Sequence, residues 1–438
     1  MHQRSITKGN LMRRIVIGLA ALAGVGILSL YGCVTAQLPN VPLRAEGEAA
    51  TPAVLAPFGT DPAVTTPADW TTRRAPLLRQ AFAQNVYGAW PIDRAVTADP
   101  PEVLDAAAVD GAGRIEQIAV HLGNAADAMG FSMLLVLPAN ATGPVPLIIT
   151  QNFCGNRGVF PDLAGVAAPP GTPQECGTGW SAPLIKAIFG DAIMTPPMPL
   201  ILGRGYAVAM FYAGEVAPDN AATAEPALAA LTPPNTPPDQ RTGAVAAWAW
   251  SYLRAIDAFS RDPRIDASRI TLWGHSRNGK AALLAAAMDN RPAAVVALQP
   301  GTAGGSLQRN AIGETIATIS SDYPHWFAPA YAAFAGREAD LPVDQHQLLA
   351  LIAPRPVLLA GARRDQHSDP IGAVLATQGA SPAYQLFGAP AFVQQDLRQM
   401  NLASPQVTYM RPGLHGVHTS DWEKILDFLD ARLPPPAR

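Results

Sequence analysis

The stretch Arg269-Ile270-Thr271-Leu272-Trp273-Gly274-His275-Ser276-Arg277-Asn278-Gly279-Lys280 constrains this chain more than any other. An apolar run ends in Gly-His-Ser and passes at once into Ala281-Ala282-Leu283-Leu284-Ala285-Ala286. That pattern describes a strand, a tight turn with serine at its apex, and a helix. Small flanking residues permit a strained turn that presents the hydroxyl, and the first amides of the helix face the same point. Asn278 stands where a G-x-S-x-G motif has its second glycine, and Gly279 follows one position later. Asparagine accepts left-handed backbone geometry better than most residues, which keeps the turn feasible. The competing reading is a serine that only caps a helix; the strand before it and the helix after it favour a nucleophile elbow.

The rest of the chain fits around that element. Short apolar runs bounded by turn residues predict strands at 117–122, 131–137, 146–150, 206–211, 269–273, 294–298, 356–360 and 407–410. Helical stretches are expected at 243–259, 277–289, 345–352 and 421–433. Two early strands without a helix between them, followed by strand–helix alternation, imply a mostly parallel sheet covered on both faces. Together with the elbow this is the α/β-hydrolase fold, a three-layer α/β sandwich. The chain is 49% hydrophobic and 15% charged, which supplies a large core without disulfide staples. Its formal charge of -3, with no basic block, gives no reason to expect nucleic acid as a partner. Proline-rich tracts at 169–173 and 232–238 read as surface loops. One catalytic domain is expected over 65–438.

The N-terminus reads as an export address. Arg13 and Arg14 precede an apolar run from Ile15 to Leu30, followed by Leu30-Tyr31-Gly32-Cys33. The run falls short of the ~20 residues of a typical spanning helix. Residues 1–36 are therefore expected to be a signal peptide. The Leu-x-Gly-Cys ending resembles a bacterial lipoprotein box with Cys33 as the lipidated residue. That places the protein in the periplasm or on the outer membrane, touching the bilayer only through its N-terminal lipid. Cleavage near Ala36 would make it a secreted protein instead, and an uncleaved anchor is the third reading. Residues 37–64, rich in Pro, Ala and Thr, read as a linker. In an exported protein Cys154 and Cys176 are expected to pair, the alternative being two buried thiols.

In this fold the acid and the base follow the nucleophile in that order. Pro356–Ala360 runs into Asp365, and Val407–Met410 runs into the glycine-flanked His415. His415 would take the proton of Ser276 and return it to the leaving alcohol, with Asp365 orienting the imidazole. His418 reads as a polar loop residue, Asp369 before Pro370 as a turn or cap residue, and His346 as a structural histidine. Asp365-x-His367-x-Asp369 lacks further ligands at metal-binding spacing, so no metal is inferred. Acyl transfer by a triad needs no cofactor. Nothing in the sequence speaks to oligomeric state.

These residues resemble the glucuronoyl esterases, carbohydrate esterases that cleave the ester between 4-O-methyl-glucuronic acid on xylan and a lignin alcohol. The likeness runs from Ala246-Ala247-Trp248-Ala249-Trp250 to Asp421-Trp422. It includes Gly274–Lys280, Gly313-Glu314-Thr315, Tyr323-Pro324-His325-Trp326-Phe327, Leu341–His346, Ala350–Pro356 and the loop from His415. The resemblance implies that Ser276 is the nucleophile, that His415 is the base and that Arg277 helps form the oxyanion hole. It also implies that Lys280 contacts uronate hydroxyls and that Gln151–Asn156 lies near the elbow. Three departures stand out. His275 replaces a common cysteine, and Gln299–Gly305 lacks the glutamate many members carry there, leaving Asp365 as the acid. His367 replaces a tryptophan that packs on the sugar. With His367 in that place, Trp326 is a candidate substitute platform, the alternative being a core residue. A glucuronoxylan or related carbohydrate ester is the expected substrate. A diverged carbohydrate or small-molecule esterase, or a non-catalytic carbohydrate-binding lipoprotein, is the alternative.

Overall fold

The computed structural model describes residues 51–124, 129–169, 186, 188–310, 312–393 and 396–434. The leader, Cys33 and Cys176 lie outside these residues. Among the described residues ten strands form one sheet: β1 (Val96–Ala98), β2 (Glu102–Ala108), β3 (Gly113–Leu122), β4 (Met129–Pro138), β5 (Val145–Asn152), β6 (Ala207–Tyr212), β7 (Ile265–His275), β8 (Ala294–Leu298), β9 (Val357–Ala362) and β10 (Gln406–Arg411). Their order is β1-β3-β4-β6-β5-β7-β8-β9-β10, with β2 also paired to β3. Pairing is antiparallel from β1 and β2 through β3 and β4 to β6. It is parallel across β6, β5, β7, β8, β9 and β10.

Side-chain alternation assigns the two faces. Leu147 and Ile149 of β5 enter one apolar core while Ile148 enters the other. In β7, Leu272 and Trp273 divide in the same way. Both faces are covered, so the parallel strands are apolar along their whole length, as their continuous runs foretold. On the first face lie α1 (Ala75–Phe82), α2 (Ala221–Leu231), α3 (Ala244–Phe259), α4 (Arg277–Met288), α5 (Gln345–Ala350) and α6 (Pro370–Leu386). On the other lies α7 (Thr419–Arg432), which buries Trp422, Ile425, Leu426, Phe428 and Leu429. The alanines of α4 bury it against both α3 and the sheet, because a side chain of one carbon permits close approach.

Every expected strand and helix appears, with ends shifted by up to a few residues. Strands β1 and β2 were not foreseen, since their half-exposed residues carry little apolar signal. Helices α1, α2 and α6 were also missed. Helix α6 contains Pro382 together with Gly372 and Gly379, which lower helix propensity. Burial of Ala373, Val374, Ala376, Ala380 and Ala383 overrides that local cost. At Gly379 a Cβ would stand 2.9 Å from the Cβ of His346, so this glycine lets α5 and α6 pack closely.

The expected linker over 37–64 needs correction. Val54 and Val64 are buried in the first core, and Arg74 donates to the carbonyl of Val54 and to Asp61. His346 Nε2 lies 2.8 Å from the carbonyl of Pro52. Residues from 52 onward are therefore packed structure, although they lack any periodicity.

The chain runs from β5 to β6 on one side of β5, and later to β7 on the other. Strand order thus reverses at β5, and the crevice at the carboxyl ends of β5 and β7 is where an open α/β sheet places its chemistry.

Candidate active site

Ser276 stands at that crevice, between the last residue of β7 and the first of α4. Its φ of 55° and ψ of −127° lie where an L-residue is strained, at a cost of about 1–3 kcal/mol. Local bonds hold it there. Its N–H donates to the carbonyl of Leu298 at 2.8 Å, and its carbonyl accepts from the amides of Gly279 and Lys280 at 2.9 and 3.1 Å. The turn admits no side chain at Gly274, where a Cβ would come within 2.2 Å of the Asn278 carbonyl oxygen. Gly279 is needed less strictly, with its nearest neighbour at 3.1 Å.

Asn278 acts otherwise than expected. It is helical and needs no left-handed geometry; the residue with positive φ is Ser276 itself. The Asn278 side chain is buried and donates to the carbonyl of Gln151 at 2.9 Å, tying α4 to the end of β5. The expected neighbourhood of Gln151–Asn156 follows from that bond. Phe153 meets the His275 ring edge-on at 5.8 Å and lies 4.7 Å beneath the Arg277 guanidinium carbon. Cys154 is buried and disulfide-bonded. Its expected partner, Cys176, lies outside the described residues.

His415 and Asp365 meet beside His275, the residue that precedes Ser276. His415 Nδ1 is 2.7 Å from Asp365 Oδ2 and 3.3 Å from Ser368 Oγ. The His415 ring centroid lies 4.6 Å from that of His275, the residue before Ser276. Burial alone would raise the Asp365 carboxyl, but the His415 hydrogen bond and charge, with the donors of Ser368, hold it below its ordinary value. His275 is itself fully buried, which pushes its pKa well below the usual histidine range.

The other polar residues of these loops are engaged elsewhere. Asp369 caps α6 through the amide of Gly372 at 2.9 Å. His418 is the N-terminal cap residue of α7. Asp365, His367 and Asp369 point to three different partners, His415, Glu314 and the α6 terminus.

Two cations flank the serine. Arg277 Nε pairs with Asp219 Oδ2 at 3.0 Å. Asp219 Oδ1 also accepts from Trp326 Nε1 at 2.7 Å and lies 3.0 Å from His325 Nε2. Burial opposes ionisation of Asp219, but the His325 bond, the Arg277 charge and the Trp326 donor hold its pKa down. Lys280 is buried and donates to the Thr302 carbonyl at 2.5 Å and to Glu314 Oε2 at 3.2 Å. Desolvation lowers its pKa. On the open side, His367 Nε2 stands 3.4 Å from Glu314 Oε1 with 70% of its side chain exposed.

Of the two readings of Trp326, the core residue holds and the substitute platform does not. It is 5% exposed, with Tyr323 stacked on its face at 4.0 Å and Trp248 packed edge-on. Its contribution to the site is the hydrogen bond to Asp219. Sequence reasoning missed Asp219, because Pro218-Asp219-Asn220 looks like any turn. A cleft of about 1320 Å³ opens beside Asp219, lined among others by Phe131, Ser132, Tyr212 and Glu215. Burial pushes the Glu215 carboxyl up to about 7.

The chain is similar to known proteins along most of its length. The family model described as glucuronyl esterase, fungi, matches residues 178–388. Carbohydrate esterase MZ0003, from an unknown prokaryotic organism, is 31% identical over 372 residues, covering 84% of this chain and 86% of its own. Among solved structures, the glucuronoyl esterase from Solibacter usitatus superimposes with a TM-score of 0.76 at 31% identity, over 90% of this chain and 99% of that one. A promiscuous CE15 esterase from a marine bacterial metagenome gives a TM-score of 0.77 at 28% identity, over 88% and 97%. The sheet, the crevice and these likenesses agree: the chain belongs to the glucuronoyl esterases, carboxylic ester hydrolases of the α/β-hydrolase fold.

Proposed function

We propose that this protein hydrolyses uronate esters of plant cell-wall polysaccharide, 4-O-methyl-glucuronate esters of xylan among them, through an acyl-enzyme on Ser276. The observation that carries the mechanism is the Asp365–His415 pair at 2.7 Å, whose imidazole lies 4.6 Å from the ring of His275, the residue before a serine in a strained elbow. A carboxylate on Nδ1 keeps the proton on that nitrogen and leaves Nε2 bare as the base. As Ser276 Oγ attacks the ester carbonyl, His415 takes its proton, and the imidazolium then protonates the departing alcohol. Water repeats the sequence on the acyl-enzyme and releases the uronic acid. Arg277, which Asp219 and Phe153 hold beside the serine, faces the charge that develops on the carbonyl oxygen, with the first amides of α4.

The sugar half of the substrate suits the β8–β9 side. Lys280 and Glu314 form a buried pair with His367 at its outer edge, offering charged donors and acceptors to ring hydroxyls. Histidine at 367 binds by hydrogen bonding more than by stacking, so the preference for a 4-O-methylated ring is weaker than for the uronate itself. Acting on plant polymers requires export. A disulfide-bonded Cys154 fits an oxidising compartment, and the N-terminal segment fits a lipoprotein with Cys33 as its anchor.

The test compares hydrolysis of benzyl glucuronate with that of simple aryl acetates, by the full chain and by Ser276→Ala. Turnover of the uronate ester that vanishes in the variant is the expected result. Turnover of aryl acetates alone would keep the serine chemistry and remove the uronate. Undiminished turnover by the variant would remove the mechanism.

A further inference from the structure

Gln299 makes three side-chain hydrogen bonds around the proposed base, and the mechanism above gives it no task. It opens the turn after β8 with a positive φ of 50° and is 4% exposed. Its carboxamide reaches across to the loop after β10 and reads the backbone on both sides of His415. The Gly416 amide donates to Gln299 Oε1 at 2.9 Å, and Gln299 Nε2 donates to the Leu414 carbonyl at 3.2 Å. These two partners fix which end of the amide is oxygen and which is nitrogen, since one can only donate and the other only accept.

A third bond orders the donor. His275 Nε2 lies 2.9 Å from the same Oε1, so this nitrogen carries the proton and Nδ1 is bare. That Nδ1 is buried without a hydrogen-bond partner, and burial keeps the ring neutral. The opposite side of the loop is held as well. Arg411 Nη2 donates to the carbonyls of Leu414 and Gly416 at 3.1 and 2.8 Å, and Arg411 Nε to Asp421 Oδ2 at 3.0 Å.

We propose that Gln299 is a positioning residue for His415, a neutral clamp whose amide grips the peptide groups on either side of that histidine and whose orientation His275 locks. The proposal rests on the reading of His415 as the base. In this chain, where Asp365 already supplies the carboxylate and the side chain must both accept from Gly416 and donate to Leu414, a carboxamide suits this place and a carboxylate does not. A charged glutamate could accept from Gly416 and His275, but its second oxygen would face the Leu414 carbonyl, and its charge would favour the His415 imidazolium. With the clamp gone, substrate still binds, while the imidazole loses its alignment with Ser276. The loss therefore falls on kcat and spares KM.

The experiment measures kcat and KM for benzyl glucuronate from pH 5 to 9 in the full-length parent, Gln299→Ala, Gln299→Glu and His415→Ala, with melting temperatures alongside. The expected result for Gln299→Ala is a 10- to 100-fold lower kcat with KM within about threefold of the parent, on the scale of a lost supporting residue. For Gln299→Glu, the acid limb of kcat/KM should move to higher pH, which loss of fold alone would not produce. Should the alanine variant fail to fold, the position of that limb decides. A parent-like kcat in Gln299→Ala, or an unmoved limb in Gln299→Glu, overturns the proposal. Undiminished turnover by His415→Ala would instead overturn the reading on which it rests.

Discussion

The elbow around Ser276 and the loop around His415 reach similar rigidity by opposite means. The elbow is held by its own neighbours. Gly274 clears room for the Asn278 carbonyl, the Ser276 carbonyl accepts from residues three and four positions on, and one longer bond to Leu298 completes it. The His415 loop combines local bonds from Arg411 with partners drawn from far along the chain. Asp365 is 50 residues away and Gln299 is 117 residues from Gly416, and only Arg411 is a near neighbour. A rigid loop can therefore be built from local geometry or from side chains gathered by the sheet, and the proposed nucleophile and base stand on one of each.

The difference can be broken first at the elbow. Ser276→Ala should cut kcat by roughly 10⁵-fold or more while the protein melts as before, since the backbone bonds of the turn do not involve the hydroxyl. Gly274→Ala should abolish activity by another route. Its Cβ would meet backbone oxygen, which cannot swing aside, so the loss of stability should exceed about 2 kcal/mol in urea unfolding. A Gly274→Ala protein of parental stability would show that the elbow is not locally determined.

The loop should respond more gently. Asp365→Asn is expected to lower kcat about 10⁴-fold at neutral pH, because the amide favours the wrong tautomer of His415. The effect should appear in kcat/KM measurements with little change in unfolding. Asp219→Asn, which loosens Arg277 without removing it, should cost less than the roughly 10²–10³ lost when an oxyanion donor is deleted. An unaffected kcat would detach Arg277 from the reaction.

The smallest effect is on stability against pH. His275 and His346 are buried, and burial depresses both pKa values in the folded protein. Unfolded histidine binds a proton below about 6.5, so the unfolded state then carries more protons than the folded one. Stability from these groups is present above that pH and declines as pH falls below it. Glu215, whose carboxyl burial raises to about 7, acts in the opposite sense over the same range, so the test is the difference: His275→Gln should lose less melting temperature than the parent between pH 7 and 5. An identical pH dependence in parent and His275→Gln would mean that the buried ring takes up its proton in place.

By itself the sequence determined the strand–turn–helix around Ser276, the parallel strands and the four longest-patterned helices, because each depends on a short window. Apolar runs, a glycine that clears a carbonyl, and alanines on a buried helix act within a few residues. The order Ser276, Asp365, His415 was legible as well, because each lies just past an apolar strand. Helix α6 was not, since burial of its alanines outweighs Pro382 and two glycines. Trp326 could not be placed from its neighbours, and its burial under Tyr323 was decided by packing. Asp219, Glu314 and Gln299 acquire their tasks only where β6, β8 and the loops after β8, β9 and β10 converge. Their partners lie 58 residues away for Asp219 at Arg277, 34 for Glu314 at Lys280, and 117 for Gln299 at Gly416. A hydrogen bond depends on distance and angle in space, and the tertiary structure alone brought those groups within reach.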